Sequence, residues 1–143
     1  PLIYKSINYE YKRDIVAAAF AARAPLYLAV HPKAGVSTFK ELVALAKAKP
    51  GKYSAASYGV GSTSHVGLAS FEKATATDFT HVPFQGVVPA VNALLAGQVD
   101  VAFVNAFNVE QHRKAGKVKI LGAAGSKRIN TITDVPTLAS FEW

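Results

Sequence analysis

From residue 26 to residue 124, short apolar, β-prone runs alternate with helix-length segments, and this alternation restricts the fold more than any other feature of the chain. Residues 26–31 (LYLAVH) form an apolar run ended by Pro32 and Gly35 and predict a strand. Residues 38–48 predict a helix. Thr38 and Glu41 stand at capping-box spacing, and Phe39, Leu42, Val43 and Ala46 recur on one face. Pro50-Gly51 stops that helix. Residues 53–57 read as a second strand, 58–61 as a glycine-containing turn, and 62–75 as a helix with Leu68 and Phe71 inward. Residues 79–83 predict a third strand. Gly86 and Pro89 open a helix that reaches Ala96, with Gly97 where a C′ glycine is expected. A fourth strand over 99–104, a short helix near 109–115 and a fifth strand over 118–123 complete the series. Strands separated by helices in this way predict an α/β unit with helices flanking a mainly parallel sheet. Residues 1–25 and 125–143 lack the rhythm and read as pieces of another unit.

Composition narrows the function classes. The chain has 143 residues, half of them hydrophobic and 17% charged, which suits one compact domain and not a disordered segment. No apolar run approaches the ~20 residues that span a bilayer. Without cysteine there is neither a disulfide nor a thiolate metal site. The lack of methionine and the start at Pro1 predict a part of a longer polypeptide. The net charge of +7 and a pI near 9.7 favour anionic partners: nucleic acid, anionic lipid or small acidic solutes. Between residues 111 and 133 stand Arg113, Lys114, Lys117, Lys119, Lys127 and Arg128 with no acid among them. No aromatic side chain is interleaved as a base-stacking platform requires, so this run predicts a solvated helix end and loop, and no nucleic-acid surface.

The most informative stretch is Ser57-Tyr58-Gly59-Val60-Gly61-Ser62-Thr63-Ser64-His65, between a strand and a helix. Gly59 and Gly61 permit positive φ and close backbone approach. Amides at the helix start, the helix dipole and the hydroxyls of Ser57, Ser62 and Thr63 suit a carboxylate; a plain Ser-capped turn is the alternative. Ser62 and His65 are near enough for a serine nucleophile, yet no acid is close by to orient His65 and the G-x-S-x-G pattern is not met. Ser64 stands where the third glycine of G-x-G-x-x-G would be. His31, His65, His81 and His112 show no ligand spacing, so no metal is expected. Two further junctions, residues 83–89 with Phe84 and Gly86, and residues 103–105 with Asn105, should meet the glycine loop, because ligands in open α/β sheets bind beyond the carboxyl ends of the strands.

Several blocks in order carry a family resemblance: KELVALAKAKPGKYSAASYGVGSTSH, THVPFQGVVPAVNALLAGQVDVAFVN, AGKVKILGAAGSKR and DVPTL. In these the chain resembles the substrate-binding proteins of tripartite tricarboxylate transporters, the Bug family. The resemblance implies one lobe of a type II periplasmic-binding-protein fold that closes on a small carboxylate (di- or tricarboxylate, amino acid or aromatic acid) and delivers it to the membrane components of such a transporter. It implies a periplasmic location, no cofactor, no catalysis and no nucleic-acid partner. Its binding loop falls on Ser57, Gly59, Gly61, Ser62 and Thr63, with His65 at the end of the motif. Phe84, Gly86 and Asn105 line the same cleft. Residues 26–124 correspond to the second lobe, 1–25 to the end of the first lobe and its crossing, and 125–143 to the return, whose ending at Phe141 is shorter than the family's. A lobe without its partner is expected to self-associate.

The sequence also departs from the family pattern. Tyr58 is bulky where the family is small, so it either narrows the pocket or stacks on a planar ligand. Gln85 replaces a frequent lysine and Ala93 a common acid, which leaves ligand identity open. The same lobe architecture serves as the effector domain of transcription regulators, which is the competing reading, and a serine hydrolase is the third.

Overall fold

A computed structural model describes residues 6–20, 24–125, 132 and 134–140. After a single turn, α1 (Tyr11–Asp14), the elements follow the alternation: β1 (Leu26–Val30), α2 (Phe39–Ala48), β2 (Ser54–Ser57), α3 (Thr63–Thr75), β3 (Thr80–Pro83), α4 (Val87–Leu95), β4 (Val101–Asn105), α5 (Ala106–Lys114) and β5 (Lys119–Ala123). Local chemistry sets the helix starts. Thr38 Oγ1 accepts from Glu41 N at 3.2 Å, and Glu41 Oε2 accepts from Thr38 N at 3.2 Å and Ser37 N at 2.7 Å. These backbone donors hold the Glu41 carboxyl below its usual range. α5 begins directly after β4, ahead of the expected start near residue 109. Its first turn exposes Phe107 at 78%, so an apolar periodicity has nothing to mark there.

The sheet has five strands in the order β3-β2-β4-β1-β5. β2 pairs in parallel with β3 and β4, while β1 is antiparallel to both β4 and β5. Strands β2 to β5 thus run one way, as a mainly parallel sheet requires, and β1 alone runs against them. Successive residues of a strand face opposite sides. Leu28, Val30, Ala55, Val101 and Phe103 pack with Phe39, Leu42, Leu68 and Phe71 of α2 and α3. Ala29, Ala56, Ala102 and Val104 pack with Val91, Leu94 and Val109 of α4 and α5. Burial on both faces explains why β1 and β4 read as unbroken apolar runs.

The two ends of the chain differ. Ile7, Tyr9, Ile15, Val16 and Phe20 are exposed, Val16 by 86%. On the C-terminal side, Ile132 and Val135 are buried with Tyr27 and Ala123, and Leu138 joins the larger core. Ala123 N donates to Pro136 O at 2.9 Å and Ala123 forms a parallel bridge with Thr137, so this piece straps the outer edge of β5. Arg113 fastens the strap: its guanidinium donates to Glu110 at 3.0 and 3.1 Å and to Asp134 at 2.9 Å. Lys119 Nζ donates to Val36 O at 3.1 Å and Ser37 Oγ at 2.9 Å. The basic run therefore does tertiary work as well as meeting solvent. Its Lys127 and Arg128, like the shortened ending at Phe141, lie outside the described residues.

Candidate ligand-binding site

The carboxyl ends of β2, β3 and β4 lie on one edge of the sheet, because β2 pairs in parallel with both neighbours and Ser57 stands opposite Pro83. The loops that leave them are laced together. Phe84 N donates to Ser57 O at 3.0 Å, Gly86 N to Tyr58 O at 3.2 Å, and Asn105 N to the Tyr58 hydroxyl at 3.2 Å. At Gly59, φ +125°, the first two loops also run close together: a Cβ there would sit 3.3 Å from Phe84 O. Gly61 also holds a left-handed φ, +79°. The result is an open groove of about 650 Å³ lined by Tyr58, Gly59, Val60, Gly61, Ser62, Phe84, Gln85 and Gly86.

Most of the residues expected from the sequence meet here, in unequal roles. Tyr58, Gly59, Gly61, Ser62, Phe84 and Gly86 line the groove, and Thr63 is exposed beside it as the first residue of α3. Ser57 lies beneath the groove with no exposed surface. Its Oγ is 2.7 Å from His81 Nε2 and 3.3 Å from both Gly59 N and Gly59 O. His65 faces a neighbouring groove with Val60, Gly61 and Lys73, and its Nδ1 accepts from Gly61 N at 3.0 Å. Asn105 turns its amide hydrogens toward Ala24 O and Pro25 O, 3.3 Å each, which leaves its carbonyl oxygen as the group it can still offer. Tyr58 lines the groove and reaches inward from it. Its ring packs against the core beneath α4, and burial pushes its hydroxyl up to about 12. Val60 and Gln85 line the groove without having been singled out as binding residues. His81 carries no local signal at all, since its partner Ser57 is 24 residues away.

The arrangement differs from that of a serine nucleophile. Ser62 Oγ caps α3 by accepting from the backbone N of His65 at 3.3 Å, and the His65 imidazole is taken up by Gly61. The close serine–imidazole pair is Ser57 with His81. That serine is sealed from solvent, and among the described residues no carboxylate hydrogen-bonds either imidazole. The third reading from the sequence thus lacks its geometry.

Electrostatics favours an anion instead. α3, α4 and α5 all begin at this edge, and none has an acid in its first turn. Each helix start carries roughly half a positive charge. α3 is capped by Ser62, whereas α4 starts at Gly86 and α5 at Asn105 with no side-chain cap, so their first amides remain for an outside acceptor. No residue lining the groove is acidic.

The Tripartite tricarboxylate transporter family receptor profile matches residues 1–142. BugT of Bordetella pertussis is 31% identical over 134 residues, which are 94% of this chain and 41% of BugT. Among solved structures, R. palustris Rpa4515 with adipate superposes with a TM-score of 0.88 at 26% identity, over 96% of this chain and 46% of that one. MatC (Rpa3494) from Rhodopseudomonas palustris with bound malate gives 0.76 at 29% identity, over 81% and 40%. The chain therefore spans less than half the length of these relatives, and its sheet and helices are those of one lobe of a periplasmic binding protein. Among the described residues no helix is long and apolar enough to cross a membrane. The groove at the strand ends and the end-to-end profile match agree, and the chain belongs to the tripartite tricarboxylate transporter receptor family.

Proposed function

We propose that this chain is the second lobe, with both crossings, of a periplasmic solute-binding receptor that takes up a small dicarboxylate and passes it to a tripartite tricarboxylate-type membrane transporter. Residues 26–124 form the sheet and helices of the lobe, 1–25 lead in from the first lobe, and 125–143 return to it, with Ile132, Val135 and Thr137 packed along the outer edge of β5 on the way. The observation that carries this reading is the convergence of three helix starts, two without side-chain caps, on a groove edge devoid of acids. Adipate on Rpa4515 and malate on MatC support the same ligand class. The first amides of α4, at Val87 and Val88, with the hydroxyls of Ser62 and Thr63, receive one carboxylate, and Phe84 and Tyr58 cover its carbon chain. The second carboxylate meets the other lobe on closure.

Calorimetry on the full-length protein with adipate and malate, each beside its dimethyl ester, tests this. The acids should bind and the esters should not. Esters binding as well as acids, or neither binding, overturns the proposal. The 143-residue chain by itself should bind adipate far more weakly and should self-associate through the exposed apolar side chains of residues 6–20, including Val16 and Phe20. Light scattering showing a monodisperse monomer with full-length affinity would contradict the one-lobe reading.

A further inference from the structure

We propose that His81 is a positioning residue for the carboxylate groove, holding the glycine loop in its binding shape through Ser57 below and His65 alongside. This rests on the binding reading above. Two glycines shape the loop, and both reach the imidazole pair. The Gly59 backbone is held by Ser57 Oγ, and that hydroxyl shares a 2.7 Å hydrogen bond with His81 Nε2. Gly61 N donates to His65 Nδ1 at 3.0 Å. The two rings lie face to face, 4.2 Å between centroids and 4° from parallel. A residue at position 81 must therefore be flat, to stack on His65, and must present a polar atom at the ring edge, to hold Ser57. Phenylalanine satisfies the first requirement, glutamine the second, and histidine both.

The position of His81 in the sheet gives it leverage. It lies on the edge strand β3, opposite Ala55 in register, while the loop it supports leaves β2. A tether from one strand to the loop of the next fixes that loop against the sheet, where a glycine-rich segment would otherwise sample many conformations. The charge state suits the task. Nδ1 of His65 accepts from Gly61 only when that nitrogen is unprotonated, and a neutral partner ring stacks without repulsion. Burial, with the neighbouring His65, holds His81 below the usual histidine range.

The test compares H81F, H81Q and S57A in the full-length protein, using adipate as the probe and amide hydrogen exchange at individual residues as the second readout. H81F keeps the flat ring and loses the bond. Faster exchange is expected at Gly59 and Gly61 but not at Leu28 or Val104 in the central strands, with adipate affinity down about three- to tenfold, the weight of one hydrogen bond. S57A removes that bond and also both contacts of Ser57 Oγ with Gly59, so it should give the same pattern at least as strongly, and the double variant should be no worse than S57A. H81Q restores a polar partner for Ser57 and should recover most of the affinity. Unchanged Gly59 and Gly61 exchange in H81F overturns the proposal. So does equal loss in H81F and H81Q accompanied by faster exchange at Leu28 and Val104, since that marks a residue serving the fold alone. If H81F fails to fold, Gly61 exchange in S57A decides, since Gly61 is bonded to His65 and not to Ser57: faster exchange supports the proposal and unchanged exchange overturns it. If the unaltered protein does not bind adipate, the binding reading fails, and the exchange pattern still decides whether His81 holds the loop.

Discussion

The two strand–helix junctions that form the groove are built in opposite ways. In the loop between β2 and α3 the backbone donors are used internally: Gly59 N on Ser57 Oγ, Gly61 N on His65 Nδ1, Ser62 N on Gly59 O and His65 N on Ser62 Oγ. In the loop between β3 and α4, Phe84 and Gly86 are bonded to the first loop, but the helix that follows has no side-chain cap. The first junction is tied down by bonds within itself; the second leaves the first amides of α4 without a partner in their own chain. A site that receives an anion needs both, a wall that does not move and donors that are not already spent. The glycine pattern thus marks the junction that is bonded within itself. The open amides of α4 follow a less conspicuous sequence, Phe84-Gln85-Gly86.

The comparison can be broken most severely at Gly59. Gly59→Val forces a branched side chain into φ +125° with Phe84 O only 3.3 Å from its Cβ. About 1–3 kcal/mol of stability should be lost in urea unfolding, together with adipate binding. Retained binding would show that the two loops need not touch. Ser62→Ala removes the α3 cap and should cost about 1 kcal/mol in the same unfolding measurement. A much smaller loss would mean that the hydroxyl serves the ligand and not the helix.

Val88→Asp sharpens the contrast from the receptive side. Val88 is 69% exposed in the first turn of α4, where a carboxylate favours the helix by about 0.3–1 kcal/mol. Stability should rise slightly while adipate affinity falls by about two- to fivefold, and added salt should shrink both effects. Parallel changes in stability and affinity would argue against an anion at this helix start.

The smallest effect expected is the pH response of the first junction. His81 titrates below the usual 6.5 in the folded chain, chiefly through burial and then through His65. The unfolded chain therefore takes up the proton first. The stability that His81 supports is fully present above about pH 6.5 and declines as pH falls from there toward the lowered value. H81F should flatten that portion of the stability–pH curve, and an unchanged slope would show that other groups set it.

The order of elements, the capping box at Thr38 and Glu41, the Ser62 cap and the glycine loop were legible from residue types and spacing. All rest on contacts within about four positions along the chain, where the backbone geometry of a helix or turn dictates which atoms meet. The extent of α5 was less legible because exposed Phe107 breaks the apolar period. The roles of Asn105 and Tyr58 were not legible at all. Whether they face a ligand or each other depends on how β4 lies beside the loop from β2, and here the Tyr58 hydroxyl accepts from Asn105 N while the Asn105 side chain is drawn to the segment entering β1. The reversal of β1 between β4 and β5, the Arg113 clasp on Asp134 and the Ser57–His81–His65 cluster belong to the same class. Local sequence determined what each segment becomes, since propensity and periodicity act over a few residues. Which segments become neighbours, and so which side chains share a site, was decided only by strand order and direction, because the pattern of apolar residues in a strand is the same whichever way it runs.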